Sequence, residues 1–279
     1  MTLRLVESLS LPGDPAKPNE DAFGGSDHAA VVLDGATMLG DPLMPGPSDA
    51  AWIAQFGARR LIAHLQESAP KKALKLALGD AEKSFHALRR GAPQDQWQVP
   101  CASMVLVAEG RKGLEFIYFG DCGALVELPD GVRIVGDTLD KRGEEAKRAA
   151  RIAKEKNLSP ASGLSRPEFI GHLRAARNRV NQGGNWLFAP DKRAAAHAGR
   201  RLVAMESGAH LLLASDGFLA LASDYGAYDA AGLLTAAKAK GLAALGAELR
   251  AIENDDALGD RFARFKKSDD ATALLLKVV

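Results

Sequence analysis

The 279-residue sequence is poor in cysteine, in aromatic side chains and in net charge: two cysteines, 6% aromatics and a formal charge of +1. Each shortage excludes something. Two cysteines cannot staple a disulfide scaffold, and Cys101 and Cys122 lack metal-ligand spacing, so both are expected as small buried apolar residues in strand-like surroundings. No apolar run approaches the ~20 residues that cross a bilayer, and residues 1–15 hold no basic-then-apolar segment. The expectation is therefore a cytoplasmic protein with no membrane contact. A near-neutral total argues against a chain that coats a polyanion. The six histidines are scattered, which disfavours zinc.

What is present is the balance of a globular chain, 47% hydrophobic and 25% charged. The charge is unevenly spread. Residues 141–201 hold 15 basic and 5 acidic side chains, net +10, which leaves −9 for the rest. Glu144, Glu145 and Glu155 interrupt the cations of 141–156 and no aromatics interleave with them, so this stretch reads as a solvated helical face rather than a nucleic-acid surface.

Apolar runs predict strands over 3–9, 29–33, 103–108, 114–119, 124–128, 132–135, 210–214 and 272–279, with a hairpin at Pro129-Asp130-Gly131. Helical periodicity predicts helices over 48–66, 71–88, 143–156, 167–179 and 225–252, the last broken near Gly241. In the first, Trp52, Ile53, Phe56, Arg60, Leu61 and Leu65 form a stripe expected to be core. Strands follow strands instead of alternating with helices, which points to an α+β fold of antiparallel sheets with helices outside. No repeat or long linker divides the chain, so one domain over 1–279 is expected, carrying a basic helical insert at about 137–201.

Several aspartates share one context, an apolar run that ends in Asp, twice followed by Gly: Val31-Val32-Leu33-Asp34-Gly35 and Leu212-Leu213-Ala214-Ser215-Asp216-Gly217. Phe119-Gly120-Asp121 is similar, Ser268-Asp269-Asp270 precedes the last strand, and Glu20-Asp21 adds an acidic pair. A carboxylate at the end of a buried strand is costly unless it is hydrogen-bonded, paired or set at a sheet rim. Any one of these is a turn opener by default. Together they suggest a shared oxygen-donor site of the kind Mg²⁺ and Mn²⁺ prefer, with Gly after Asp allowing close backbone approach or an unusual φ.

Asn19-Glu20-Asp21-Ala22-Phe23, Leu33-Asp34-Gly35, Gly120-Asp121, Ser215-Asp216-Gly217-Phe218 and Asp269-Asp270-Ala271-Thr272 occur in that order, and from about residue 13 to the C-terminus the chain resembles the PP2C-like metal-dependent protein phosphatase (PPM) family. The resemblance implies a four-layered α-β-β-α sandwich of two antiparallel sheets flanked by helices. It also implies two or three Mn²⁺ or Mg²⁺ ions at one end of the sheets, and hydrolysis of phosphoserine and phosphothreonine in a phosphorylated protein substrate. Carried over by position, Asp34 bridges two metals, the Gly35 carbonyl binds one of them, and Asp216 and Asp269 ligate the other. Glu20 and Asp21 hold metal-bound waters directly or from behind, and Asp121 matches an aspartate linked to a weaker third ion. A pair of such ions ~3.5–4 Å apart generates a bridging hydroxide near neutral pH and offsets phosphate charge during in-line attack. Asp270 stands where many relatives have Asn, and a supporting role beside the ligands is expected of it.

The sequence departs from that family at three places. Many relatives have a proton-donating His after Asp-Gly, whereas here Ala36 follows Gly35 and cannot give a proton to the leaving alkoxide. His172 is a candidate for that part. The phosphate-binding Arg before Asn-Glu-Asp is absent; Lys17 is the nearest cation, either a point-charge substitute or a solvated turn lysine. Gly123 replaces a further Arg. The basic insert offers replacements, with Arg177, Arg179, Asn181 and Trp186 expected in a substrate-contacting loop. The alternative is a catalytically weak or inactive regulatory module that keeps the fold and binds a phosphoprotein or partner through the insert.

Overall fold

The computed structural model describes residues 2–136, 167–262, 264 and 266–279. The helix expected over 143–156 and the basic stretch 141–156 lie outside them. Strand alternation builds the architecture. Along β3 (Ala29–Gly35), Val31 and Leu33 face one way and Ala30 and Val32 the other, and both sets are buried. Such two-sided burial requires a layer on each face. One sheet has the order β2 (Asp21–Ser26), β3, β4 (Ala102–Gly110), β5 (Gly113–Phe119), β8 (Gly199–Val203). The other runs β1 (Leu3–Leu11), β10 (Ala271–Val278), β9 (His210–Ala214), β6 (Gly123–Leu128), β7 (Gly131–Gly136). All neighbouring strands pair antiparallel.

Val32, Val105, Phe116, Val126, Leu213 and Leu274 pack between the sheets. The outer face of the first sheet is covered by α1 (Asp49–Leu65) and α2 (Pro70–Leu88) through Ile53, Leu61, Leu74 and Leu78. Outside the second lie α4 (Asp216–Ser223), α5 (Ala230–Lys240) and α6 (Leu242–Asp255), through Phe218, Leu233, Leu245 and Leu249. The layers are thus α-β-β-α, as expected, and each fully buried Leu, Val or Phe contributes about 1.5–3 kcal/mol. The remaining helix, α3 (Pro167–Arg177), carries Arg174, which stacks on Trp97 at 4.0 Å and donates to the Leu39 carbonyl. No helix among the described residues is long and apolar enough to cross a membrane.

Most expected elements are found within a few residues, and the turn at Pro129-Asp130 closes the β6–β7 hairpin with Leu128 opposite Gly131. Cys101 and Cys122 are free and buried. Among the described strands and α-helices, three were not expected. Two are short outer strands: β2 has the weak strand composition Asp-Ala-Phe-Gly-Gly-Ser, and β8 has two arginines. Their register comes from pairing with β3 and β5. The third is α4, which starts at Asp216 itself. The helical pattern over 225–252 resolves into α5, capped by Asp229 accepting from Gly232 N–H, and α6, with Gly241 between them at φ +83°.

Candidate metal centre

The strand directions collect the acidic residues. β3, β5 and β9 end at one rim of the sandwich, and β2, β6 and β10 begin there. Asp34 follows Ala30 and Val32 in the alternation, so its side chain points between the sheets, where apolar packing gives way to the rim. Asp121 lies in the three-residue crossover from β5 in one sheet to β6 in the other. Asp216 opens α4 directly after β9. The end of β3, the β5–β6 crossover and the start of α4 thereby place one carboxylate oxygen each within 4.8 Å of one another.

Hydroxyls and backbone amides hold the frame around them. Asp21 pairs with Asp34 across β2 and β3, is buried, and accepts from Ser215 Oγ at 2.7 Å. Ser215 Oγ also accepts from Thr272 N–H at 2.9 Å, so one hydroxyl ties both sheets together. The Asp270 carboxylate accepts from the amides of Gly13 (2.7 Å) and Glu20 (2.6 Å), pinning the loop between β1 and β2. Glu20 accepts from Thr37 Oγ1 at 2.5 Å and from Ser48 Oγ at 2.6 Å, and Ser48 in turn caps α1 by accepting from Ala51 N–H. Asp269 Oδ1 receives Lys266 Nζ at 2.8 Å.

The glycines after Asp serve close approach, not unusual φ. Neither Gly35 nor Gly217 has a positive φ, but a Cβ on Gly35 would lie 2.4 Å from the Ala50 carbonyl, and one on Gly217 would lie 2.0 Å from that of Asp270.

Electrostatics mark the rim as short of positive charge. Burial pushes the Asp21 carboxyl up to about 7, with Asp269 and Asp270 adding to it against the hydrogen bonds from Ser215 and Thr272. Asp34 is pushed well above the ordinary carboxylate range by burial and then by Asp21, Asp121 and Asp269, with Lys266 opposing. Asp21 Oδ1 is buried with no protein hydrogen-bond partner. Clustered oxygen donors, mutual repulsion and an orphaned buried oxygen fit a divalent cation of the Mg²⁺ or Mn²⁺ type.

The expected substrate residues are placed as follows. Arg177, at the end of α3, points its guanidinium at the carbonyls of Ala36 and Thr37 (3.4 Å each), the residues that follow Asp34-Gly35. It also lies against Cys101, whose thiol burial pushes up and the guanidinium pulls down. Arg179 is exposed and donates to the Ala175 carbonyl. Asn181 is buried with φ 57° and accepts from Leu187 N–H, and Trp186 stacks on His197 at 3.7 Å. Those two side chains shape the loop that carries them. Lys17 is exposed and 3.5 Å from Asp14, and His172 is exposed on α3. Lys266, Thr37 and Ser48 join the site without having been read from the sequence, and Ser215, present there within its motif, carries no role from it; for Lys266 the available signal is a Lys-Lys pair just before Ser268-Asp269-Asp270.

The fold is shared with solved serine/threonine phosphatases. The phosphatase PstP/Ppp of Mycobacterium tuberculosis superposes with a TM-score of 0.60 at 14% identity, covering 100% of this chain and 99% of that one. The PstP catalytic domain in complex with two manganese ions gives 0.54 at 16% identity, covering 100% and 99%. Staphylococcus aureus Stp1 gives 0.56 at 14% identity, covering 99% and 96%. No family model and no curated protein matches the chain by sequence.

Proposed function

We propose that the protein is a Mn²⁺- or Mg²⁺-dependent phosphatase that hydrolyses phosphoserine and phosphothreonine in proteins. The observation that carries this reading is the convergence of Asp34, Asp121 and Asp216 at one rim, on a fold otherwise seen in serine/threonine phosphatases, one of them holding two manganese ions. The resemblance assigns Asp216 and Asp269 to one ion and Asp121 to a weaker one; because the Asp121 carboxylate converges with those of Asp34 and Asp216, we instead group these three as one part of the cation centre, with Asp269 as the other and the Gly35 carbonyl as a further donor. When bound, divalent ions supply an ionised water nucleophile at neutral pH and neutralise the phosphate oxygens.

The chain's own groups do the rest. Ser215 and Thr272 fix Asp21 behind the ligands, and the Thr37 and Ser48 hydroxyls orient Glu20. We place Arg177 beside the incoming phosphate, because its guanidinium borders the loop that follows Gly35 and a planar fork suits phosphate oxygens. Ala36 leaves the departing alkoxide without a proton donor from that position. Turnover should therefore favour esters whose leaving group departs without a proton.

The test is hydrolysis of an aryl phosphate and of phosphoserine, phosphothreonine and phosphotyrosine peptides. Activity that needs added Mn²⁺, stops with EDTA, runs faster on the aryl ester and prefers the phosphoserine and phosphothreonine peptides over phosphotyrosine is expected. Metal-independent turnover would overturn the reading; no turnover with retained phosphopeptide binding would favour a regulatory module.

A further inference from the structure

The chain sends a cation of its own into the acidic rim. Lys266 Nζ lies 2.8 Å from Asp269 Oδ1 and 3.1 Å from Thr37 Oγ1, and that same hydroxyl donates a hydrogen bond to Glu20 Oε2 at 2.5 Å. The lysine side chain is 32% exposed, against 75% for the solvated Lys17. Asp34 and Glu20 both act on its charge. The rim is therefore divided. On one side Asp34, Asp121 and Asp216 converge. On the other, Asp269 is engaged by an ammonium and Glu20 by two hydroxyls.

An ammonium and a divalent cation cannot both sit against one carboxylate group without strong repulsion, because screening by water is reduced at a partly buried site. We propose that Lys266 is a tethered competitor for one of the divalent ions: it neutralises the Asp269 side of the rim, so that the Asp34–Asp121–Asp216 side loads first and the Asp269 side loads only when the ammonium swings out. This inference rests on the metal-centre reading above. It makes the protein's metal occupancy graded. At low Mn²⁺ the rim holds one ion and one lysine, and only higher Mn²⁺ gives the full centre. The four-carbon stem lets Lys266 leave without moving the backbone.

The test is calorimetric titration of Mn²⁺ into the metal-free full chain, with the melting temperature in EDTA recorded for each variant to establish folding. The wild type should show one tight and one weak ion. In Lys266→Gln the weak ion should tighten about tenfold or more. Lys266→Arg, which keeps the charge, and Lys267→Met, which removes a charge from the exposed neighbour, should each retain the weak second ion. Unchanged affinities in Lys266→Gln, or a second ion weakened by that change, would overturn the proposal while leaving the metal centre standing. Absence of Mn²⁺ binding in the wild type and in every variant would overturn both.

Discussion

Asp34→Asn lowers phosphatase turnover by about a hundredfold or more and, in the absence of metal, makes the protein more stable. The two effects share one cause. Asp34 is a buried carboxylate on which Asp21, Asp121 and Asp269 also press, with Lys266 opposing them. Asparagine keeps the shape and removes the charge. Losing a carboxylate that would hold the divalent ion would remove the electrostatic help that ion supplies to the developing transition state. The loss of an ill-compensated charge gains on the order of 1–3 kcal/mol, or several degrees in melting temperature for a chain of this size. Activity assays with Mn²⁺ and thermal melts in EDTA at pH 8 measure both. A variant that is inactive and less stable without metal would mean that Asp34 is a structural residue and not a strained ligand.

The second large effect is the pH dependence of the metal-free protein. Asp21 has an ordinary value of 3.8 and is held at about 7 in the fold, and Asp34 is displaced in the same direction. Folding therefore takes up protons between these values, and stability falls as pH rises through that window. Below pH 4 both states are protonated and the penalty vanishes; the Asp21 share is present once pH has risen through about 7, and Asp34 adds to it in the same direction. The penalty is on the order of a few kcal/mol. Asp80, Glu127, Asp191 and Asp256 are displaced downward by their partners, so their contribution is lost as pH falls through and below the ordinary carboxylate range, opposite in sign to that of the rim. Melts in EDTA are expected to show stability declining from pH 5 to pH 8. Saturating Mn²⁺ should reverse the trend, because a ligand at about 100 times its dissociation constant adds about 2.7 kcal/mol to the ionised form. A metal-free protein whose stability rises steadily over that range would contradict the repulsion on which this rests.

How much of this the sequence reveals depends on the range of the interaction. Val31-Val32-Leu33 and Leu211-Leu212-Leu213 announce buried strands because both faces are apolar, and strands that succeed strands announce antiparallel sheets with helices outside, whereas the four-layer order comes from the family resemblance. The edge strand Asp21–Ser26 does not announce itself, because pairing with β3 sets its conformation and its composition does not. Arg60 fits the apolar stripe by spacing, yet it turns to Asp80, which it shares with His64; helix packing, not periodicity, decides that. At the site, the Asp-Gly pairs are legible and their reason is half legible. Proximity of Gly35 to Ala50 and of Gly217 to Asp270 depends on where α1 and the loop before Ala271 come to rest. Lys266 is the clearest case: its sequence neighbours suggest a solvated lysine, and only the fold brings Thr37, 229 positions away, to its ammonium.

The central claim is that carboxylates from separate stretches of the chain meet to grip divalent cations. Anomalous diffraction from crystals soaked in Mn²⁺ tests it most directly. The account predicts a first peak ligated by Asp34, Asp121 and Asp216, with a second at Asp269 at higher Mn²⁺, each at about 2.0–2.2 Å from carboxylate oxygens. A soaked crystal with these carboxylates bare, and manganese elsewhere or nowhere, would contradict it.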